Sequence, residues 1–320
     1  MSQQFKEIGQ YTSGKRWMDW LKAKTPPGRD PSTLRIFPYY MFKFCTFARK
    51  DPDQLTIERL QHLKSDDVAT RRQQEELVTR WVGKMQENNT PSNTIATASG
   101  AVRSFYSANY IPLTQVYVPS GVAVKRHRLP TPSDLANMIQ IADERTGAWI
   151  CCQKDSGISG GDLATLTFGT KSPEFGTIKA QLMRKLVPVH VHLERGKGIS
   201  RGLGPYDTFF GKDAITALKK YVNVETATND LRLFSFSEKT HRNALKEVSH
   251  KILGESCTPH DLRKFFNTYL KLAKVNESVV EYWMGHSLGK VKSAYFIPPV
   301  QEQMKVYKEA YPHIALPPKK

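Results

Sequence analysis

One stretch in the middle of this 320-residue chain alternates apolar and polar residues with the period of a β-strand, and helical patterns lie on both sides of it. The apolar members of this alternation are Val187, Val189, Val191 and Leu193. A glycine-rich basic turn, residues 195–205, follows and can reverse the chain into a hairpin. With helical patterns elsewhere, this strand-forming region predicts a mainly α-helical fold with a small β-sheet.

Two histidines, His190 and His192, occupy polar positions of the alternation. A zinc site needs at least one more ligand at a suitable spacing, and the sequence offers none nearby. We therefore expect two solvent-facing strand residues and no metal site.

The first 115 residues carry apolar residues three and four positions apart, in segments separated by helix-breaking residues. An acidic, polar stretch at residues 51–55 is expected to be a connector. The expected helices lie near residues 17–21, 32–48, 65–87 and 90–109. Their Trp, Phe and Met residues are expected to form a core, which makes residues 1–115 a compact all-α domain.

The chain is strongly basic, with 47 Lys and Arg residues against 30 Asp and Glu residues and a formal net charge of +17. Such an excess in a chain of ordinary apolar content indicates a polyanionic partner, bound mainly through its phosphates. Charge alone would equally suit a ribosomal protein or a protein of the membrane surface.

The four cysteines, Cys45, Cys151, Cys152 and Cys257, show no zinc spacing, and adjacent cysteines cannot easily form a disulfide with each other. A reducing, cytoplasmic setting fits this pattern best. The sequence also has no apolar run of the ~20 residues that cross a membrane, and its N-terminus lacks the apolar core of a signal peptide.

The most distinctive residues lie near the C-terminus. His260 and Arg263 are three positions apart at the start of an apolar-periodic segment, so a helix places both on one face near its N-terminus, the end that favours an anion. A second amphipathic run stops at Gly285, which is suited to ending a helix, and presents His286 just after it. Tyr295 follows nine positions later.

The order His-x-x-Arg, then Gly-His, then Tyr resembles the signature of the tyrosine recombinases, the phage-integrase family of site-specific DNA recombinases. The sequence of residues 283–296 looks most like that of integrases of archaeal viruses and plasmids. It reads Trp-Met-Gly-His-Ser-Leu-Gly-Lys-Val-Lys-Ser-Ala-Tyr-Phe.

The resemblance implies a C-shaped clamp around double-stranded DNA. Its parts would be a helical, SAM-like core-binding domain at residues 1–115, a basic linker at 116–130 and an α+β catalytic domain at 131–320. It also implies a tetramer on synapsed DNA sites, and a monomer or dimer when free. A terminal helix from residue 300 would pack either on a neighbouring protomer or on its own domain.

The resemblance also assigns chemical roles. Tyr295 would attack phosphorus to give a 3′-phosphotyrosine, while Arg263 and His286 would contact the phosphate. His260 could take the tyrosine proton, and Lys197 on the hairpin turn would protonate the leaving hydroxyl, with Lys185 as a weaker alternative. This chemistry requires no metal, nucleotide or other cofactor. The residues expected to contact DNA outside this set are Lys125, Arg126, Arg128, Arg195 and Arg201, and the run around Lys125 could equally be solvated surface.

The first catalytic arginine of the family is missing. Residues 155–169 resemble the box that carries it, typically Thr-Gly-Leu-Arg-Ile-Ser-Glu-Leu, but Ser159 or Gly160 stands in its place, depending on the register. Three explanations are open: Arg145, Arg184 or Arg201 fills the role in space, the change is engineered, or the chain is a natural variant of weak activity. These alternatives stay open at the level of sequence.

Two other functions fit part of the sequence. A type IB topoisomerase-like enzyme shares the nicking and rejoining chemistry, although the His-x-x-Arg and Gly-His elements favour a recombinase. A DNA-binding protein without catalysis is favoured only by the absent arginine.

Overall fold

A computed structural model of the chain describes residues 6–24, 32–118, 128–194, 204–286 and 299–318. The chain divides into two compact units, Met1–Arg126 and His127–Lys320. Both are built mainly from helices, and short strands occur in the second, so the predicted fold class is confirmed.

The first unit is entirely helical over its described residues. A core around Trp17, Phe44 and Phe105 fills the space between its helices, as the apolar spacing predicted. Its helices are α1 (Thr12–Ala23), α2 (Thr33–Ala48), α3 (Pro52–Leu63), α4 (Val68–Arg71), α5 (Gln73–Glu87) and α6 (Ser92–Ala108).

Two local expectations for this unit are wrong. Residues 51–55 are no connector, because Asp51 caps α3: its carboxylate accepts from the Gln54 amide at 2.8 Å, and the Gln54 side chain accepts from the Asp51 amide at 2.9 Å. The segment 65–87 is two helices, since the chain leaves helical geometry at Arg72, between α4 and α5.

A buried ion pair joins α3 to α5. The guanidinium of Arg59 donates to both carboxylate oxygens of Glu75, at 2.6 and 2.8 Å, and to the carbonyls of Arg71 and Pro112. Thr114 donates its amide to Glu75 at 3.2 Å, which ties the end of this unit to the pair.

The second unit contains the remaining helices and the strands. The strands are β1 (Lys171–Ser172), β2 (Gly176–Thr177), β3 (Val189–Leu193) and β4 (Tyr206–Phe210). The helices are α7 (Pro132–Ile141), α8 (Glu144–Ser156), α9 (Gly160–Leu163), α10 (Ile178–Met183), α11 (Lys212–Tyr221), α12 (Glu238–Leu253), α13 (Pro259–Leu272), α14 (Glu277–Trp283) and α15 (Val300–Ala310). Every residue of α8 from Thr146 onward is buried, which makes it the central helix of the unit.

The predicted hairpin is present. Strands β3 and β4 pair antiparallel from Val189 opposite Phe210 to Leu193 opposite Tyr206. The expectation that its histidines face solvent is wrong, because His190 is fully buried and His192 is mostly buried. Both imidazoles lie against the carboxylate of Asp207 on β4, at 3.0 and 2.8 Å.

The terminal helix α15 packs on its own unit. Tyr307 donates its hydroxyl to the carbonyl of Asp155 at 2.7 Å, and Gln303 accepts from the indole of Trp283 at 2.8 Å. Beyond the helix, buried Lys154 donates to the carbonyl of Ile314 at 2.9 Å. These contacts fix the end of the chain against α8 in the same molecule.

Within the described ranges, no helix combines the length and apolar character that spanning a membrane would require. The same residues contain no cluster of three or more His, Cys, Asp or Glu side chains arranged to hold a metal ion. All four cysteines are buried free thiols.

Candidate active site

The start of α13 fixes the positions of His260 and Arg263. Thr258 donates its hydroxyl and its amide to the carboxylate of Asp261, at 2.6 and 2.9 Å, and Pro259 occupies the first helical position. These local contacts set the first residue of the helix, so His260 lies in its first turn and Arg263 at the start of the second.

Arg263 connects three segments of the chain. Its guanidinium donates to the carbonyl of Gly157 and to the carbonyl of Met284, the latter at 3.0 Å, and it lies 2.9 Å from Nε2 of His286. An arginine can only donate, so Nε2 of His286 accepts in this contact. The side chains of Arg263 and His286, 23 positions apart in the sequence, are therefore in direct contact.

The other imidazole nitrogen of His286 is held by Glu281. Since Nε2 accepts, Nδ1 carries the proton and donates to the Glu281 carboxylate. Asn267 and Lys271 also donate to Glu281, each at 3.0 Å. Partial burial raises the pKa of Glu281, but the hydrogen bonds from Lys271, His286 and Asn267 outweigh it and lower the pKa to about 2. The carboxylate therefore stays ionised and fixes the imidazole tautomer.

The predicted helix stop at Gly285 is confirmed. Gly285 has a φ of 67° and donates to the carbonyl of Tyr282 at 2.8 Å, while His286 donates its amide to the carbonyl of Glu281 at 2.8 Å. This pair of bonds is a Schellman motif. It turns the chain back at the end of α14, so that the side chain of His286 lies against that of Glu281.

Gly157 supplies the backbone carbonyl that Arg263 contacts. It ends α8 with a φ of 62°, a left-handed conformation that favours glycine. A Cβ at this position would also overlap the ring of Phe266 on α13, with two ring atoms at 2.9 Å and Cδ1 closer still. The absence of a side chain lets α8 and α13 approach each other closely enough for the contact.

His260 lies beside this cluster and is exposed. Partial burial is the largest cause that lowers its pKa, followed by the charge of Lys264, and Arg263 and His286 act in the same direction. Asp261 opposes them. The imidazole is therefore neutral at pH 7 and able to accept a proton.

The position of the missing arginine has a defined structure. Ser159 caps α9: its hydroxyl accepts from the Asp162 amide at 3.1 Å and donates to the Asp162 carboxylate at 2.7 Å. The space beside Gly160 is taken by Glu238, whose Cγ would lie 3.0 Å from a Cβ at that position. A carboxylate thus lies next to one of the two positions at which the sequence analysis expected an arginine.

The predicted substitutes for that arginine have other partners. Arg145 pairs with Asp143 at 3.4 Å and lies over the ring of Phe236, 4.7 Å from its centroid. Arg184 donates to the carbonyls of Phe175 and Ala180. These contacts do not involve the Arg263 cluster.

Several predicted site residues lie outside the described residues, and their roles stay predictions: Tyr295, Lys197, Lys125, Arg126, Arg195 and Arg201. Arg128 is described, and it pairs with Asp134, a residue of the α7 cap, at 2.8 Å. The weaker lysine candidate, Lys185, lies exposed in the turn that follows α10.

A buried network that the sequence did not reveal joins the hairpin to α14. Asp207 accepts from Tyr282 at 2.6 Å and binds both hairpin histidines. Ser172 on β1 lies 2.7 Å from the other nitrogen of His190. Burial raises the pKa of Asp207, but hydrogen bonds from His190, His192 and Tyr282 hold it well below its usual range. Tyr282 precedes the helix end that carries His286, so the network holds the base of the hairpin beside this helix.

No protein-family model matches the sequence, and no curated protein matches it closely enough to count as a relative. Solved structures do match. The integrase of transposon Tn1549 in complex with transposon right end DNA is similar with a TM-score of 0.54 and 14% identity, over 93% of this chain and 99% of that one. A lambda integrase dimer bound to a core site has a TM-score of 0.54 and 14% identity, over 89% and 94%.

A lambda integrase tetramer bound to a Holliday junction matches with a TM-score of 0.53 and 14% identity, over 90% of this chain and 77% of that one. At these identities the likeness concerns the fold. It covers about nine tenths of this chain and therefore includes parts of both compact units. The chain therefore has the tyrosine-recombinase fold.

Proposed function

We propose that this chain is a site-specific DNA recombinase that cleaves and rejoins double-stranded DNA through a 3′-phosphotyrosine. The observation that carries the proposal is the cluster of Arg263 and His286, ordered by Glu281 and by the Gly157 carbonyl, with His260 beside it. The fold supports it, because similar solved structures are DNA-bound integrases.

The cluster suits metal-free phosphoryl transfer. Arg263 would donate to non-bridging oxygens of the scissile phosphate, and His286 would add a contact once its Nε2 gains a proton and donates to the phosphate instead of accepting from Arg263. Neutral His260 would take the proton of Tyr295 as its oxygen attacks phosphorus and the 5′-oxygen leaves. Lys197 would protonate that oxygen. The reverse reaction rejoins the strand, because the phosphotyrosine keeps the energy of the broken bond.

The architecture that goes with this function is also part of the proposal. Residues 1–115 would be the core-binding domain, 116–130 the linker and 131–320 the catalytic domain, closing on DNA as a clamp. Lys125, Arg126, Arg128, Arg195 and Arg201 would contact phosphates. Arg128 would have to exchange Asp134, whose side chain is mostly buried, for a phosphate.

Four copies would assemble on two synapsed sites inside a host cell. The sequence of residues 283–296 favours an integrase of an archaeal virus or plasmid. Since α15 packs on its own unit, the contacts between copies would be made by other surfaces.

A DNA-binding protein without catalysis is the second candidate, and the observation that favours it is the side chain of Glu238 beside Gly160. Removing one preorganised donor from a site of this kind typically costs ~10²–10³ in rate. Activity reduced by that factor is still measurable in a single turnover.

Covalent trapping separates the two candidates. The protein is incubated with nicked duplexes from a fragmented DNA pool, denatured, and examined for attached DNA, with Tyr295→Phe in parallel. We expect an adduct with the parent chain and none with Tyr295→Phe. Tight binding without an adduct from the parent, also after Arg is introduced at position 159 or 160, would establish the non-catalytic alternative. Recombination between paired sites, in contrast to relaxation alone, would exclude a topoisomerase-like enzyme.

A further inference from the structure

Position 160 lacks an arginine of its own, but a guanidinium from another helix lies close to it. The carboxylate of Glu238 occupies the space beside Gly160, with Oε1 3.3 Å from the position of a Cβ there. The same Oε1 accepts from Arg242 at 2.9 Å. Together, these two distances limit how far Nη2 of Arg242 can lie from that Cβ position. The limit is about the distance from Cβ to Nη2 within an extended arginine side chain.

The segment around Gly160 also reaches the described cluster. Gly157, three residues earlier, gives its carbonyl to Arg263. Three trans peptide units span at most about 11 Å. Arg242 and Arg263 therefore approach the same short loop, one at each end of it.

Arg242 is available for a phosphate. Its side chain is 58% exposed, and its partner Glu238, one helical turn away on α12, is half-buried. Such a pair is weak, because water screens it and both side chains lose freedom in forming it. A phosphate that approaches the loop can replace Glu238 as the partner of the guanidinium.

From this arrangement, and resting on the proposed function, we infer that Arg242 takes the place of the missing first arginine and binds the scissile phosphate opposite Arg263. Glu238 holds the guanidinium in position before DNA arrives. The inference explains how a site with Ser159 and Gly160 in the arginine box retains two guanidinium groups for the phosphate. The sequence does not predict this arrangement, because Glu238, which lies beside Gly160, is almost eighty residues away from it in the chain.

The chain contains a matched control. Lys251 on α12 forms the same kind of exposed pair with Glu247, also one turn apart, at 3.1 Å. Lys251→Ala therefore removes a cation and an ion pair from the same helix without touching the Gly160 loop.

The test measures single-turnover adduct formation on nicked duplexes from the fragmented pool, at saturating protein. We expect Arg242→Ala to slow the reaction by about 10²–10³-fold, Lys251→Ala to leave it nearly unchanged, and Gly160→Arg combined with Arg242→Ala to recover most of the loss. Because the arginine box has two registers, Ser159→Arg with Arg242→Ala is tested as well. Equal rates for the two alanine variants, or recovery in neither register, would overturn the inference while the proposed function stands.

A second readout does not depend on cleavage. Binding of one duplex from the pool is measured over a series of salt concentrations, and Arg242→Ala should reduce the slope of log affinity against log salt by about 1, more than Lys251→Ala does. If the parent forms no adduct, the proposed function fails and the slopes decide whether Arg242 contacts a phosphate. Equal slopes would then reject the inference too.

Discussion

Replacing Gly157 by alanine adds one methyl group at the end of α8. Two separate effects, the backbone conformation and a contact with Phe266, set the loss of stability. The residue has a φ of 62°, which costs an alanine ~1–2 kcal/mol. The new Cβ would also lie 2.9 Å from ring atoms of Phe266, which is fully buried and cannot turn away freely. Overpacking of this kind costs ~1–3 kcal/mol, so the total destabilisation is about 2–5 kcal/mol.

Gly254 separates the two contributions. It ends α12 with a φ of 72°, and a Cβ there would meet nothing within 4 Å. Gly254→Ala should therefore cost only the conformational ~1–2 kcal/mol. The difference between the two variants measures the contact with Phe266.

Unfolding in urea is detected by hydrogen exchange of peptides from α8 and α13, so the midpoint reports on the second unit alone. With a slope of ~1–3 kcal/mol per molar urea, Gly157→Ala should lower the midpoint by about 1 M or more, and Gly254→Ala by clearly less. Equal midpoints for the two variants would refute the argument from Phe266. Because the Gly157 carbonyl accepts from Arg263, the variant should also slow adduct formation under conditions where it is still folded.

Three further predictions concern buried or positioned polar groups. Glu281→Gln removes the charge that faces the Nδ1 proton of His286, so we expect about 10²-fold slower cleavage in the covalent-trapping assay; an unchanged rate would contradict the role of Glu281. Burial lowers the pKa of His241 to about 3, so between pH 6.5 and 3 the unfolded state binds more protons and stability falls as pH falls. The parent should therefore lose about 3 kcal/mol relative to His241→Leu between pH 7 and pH 4 in urea unfolding, whereas parallel pH profiles would exclude this role. Arg59→Ala leaves Glu75 buried without its cation and should destabilise the first unit by ~3–5 kcal/mol. Hydrogen exchange in α3 and α5 measures this loss. Replacing the pair by Met and Leu should restore most of the lost stability.

The parts of the site that the sequence predicted are those set by local rules. Thr258, Pro259 and Asp261 begin α13 within four residues, and Gly285 ends α14, so the spacing alone placed Arg263 and His286 at helix ends. The cap at Asp51 obeys the same rules and was missed because an acidic, proline-containing stretch also resembles a connector.

The parts that the sequence did not predict depend on contacts between distant segments. His190 and His192 alternate with apolar residues as exposed strand residues would, and only pairing with the strand of Asp207 buries them. Lys154 and Asp155 are likewise fully buried, although charged residues in a helix are usually exposed. Burial of a charge is favourable only with partners, and no spacing rule identifies partners from other elements.

The site contains residues positioned by local helix-end rules and residues positioned by contacts between distant segments. Both kinds determine how the site responds to mutation. The cluster is assembled near helix ends: Gly157 ends α8, Arg263 lies near the start of α13, and His286 follows α14. A helix end is fixed locally, but its distance from the next helix is fixed by packing, as Phe266 shows against Gly157. Substitutions of the polar side chains should therefore reduce cleavage and leave the fold intact, while substitutions at the glycines should reduce both together. A variant of Gly157 that cleaved normally despite a lowered urea midpoint would show that the site does not depend on the approach of α8 to α13.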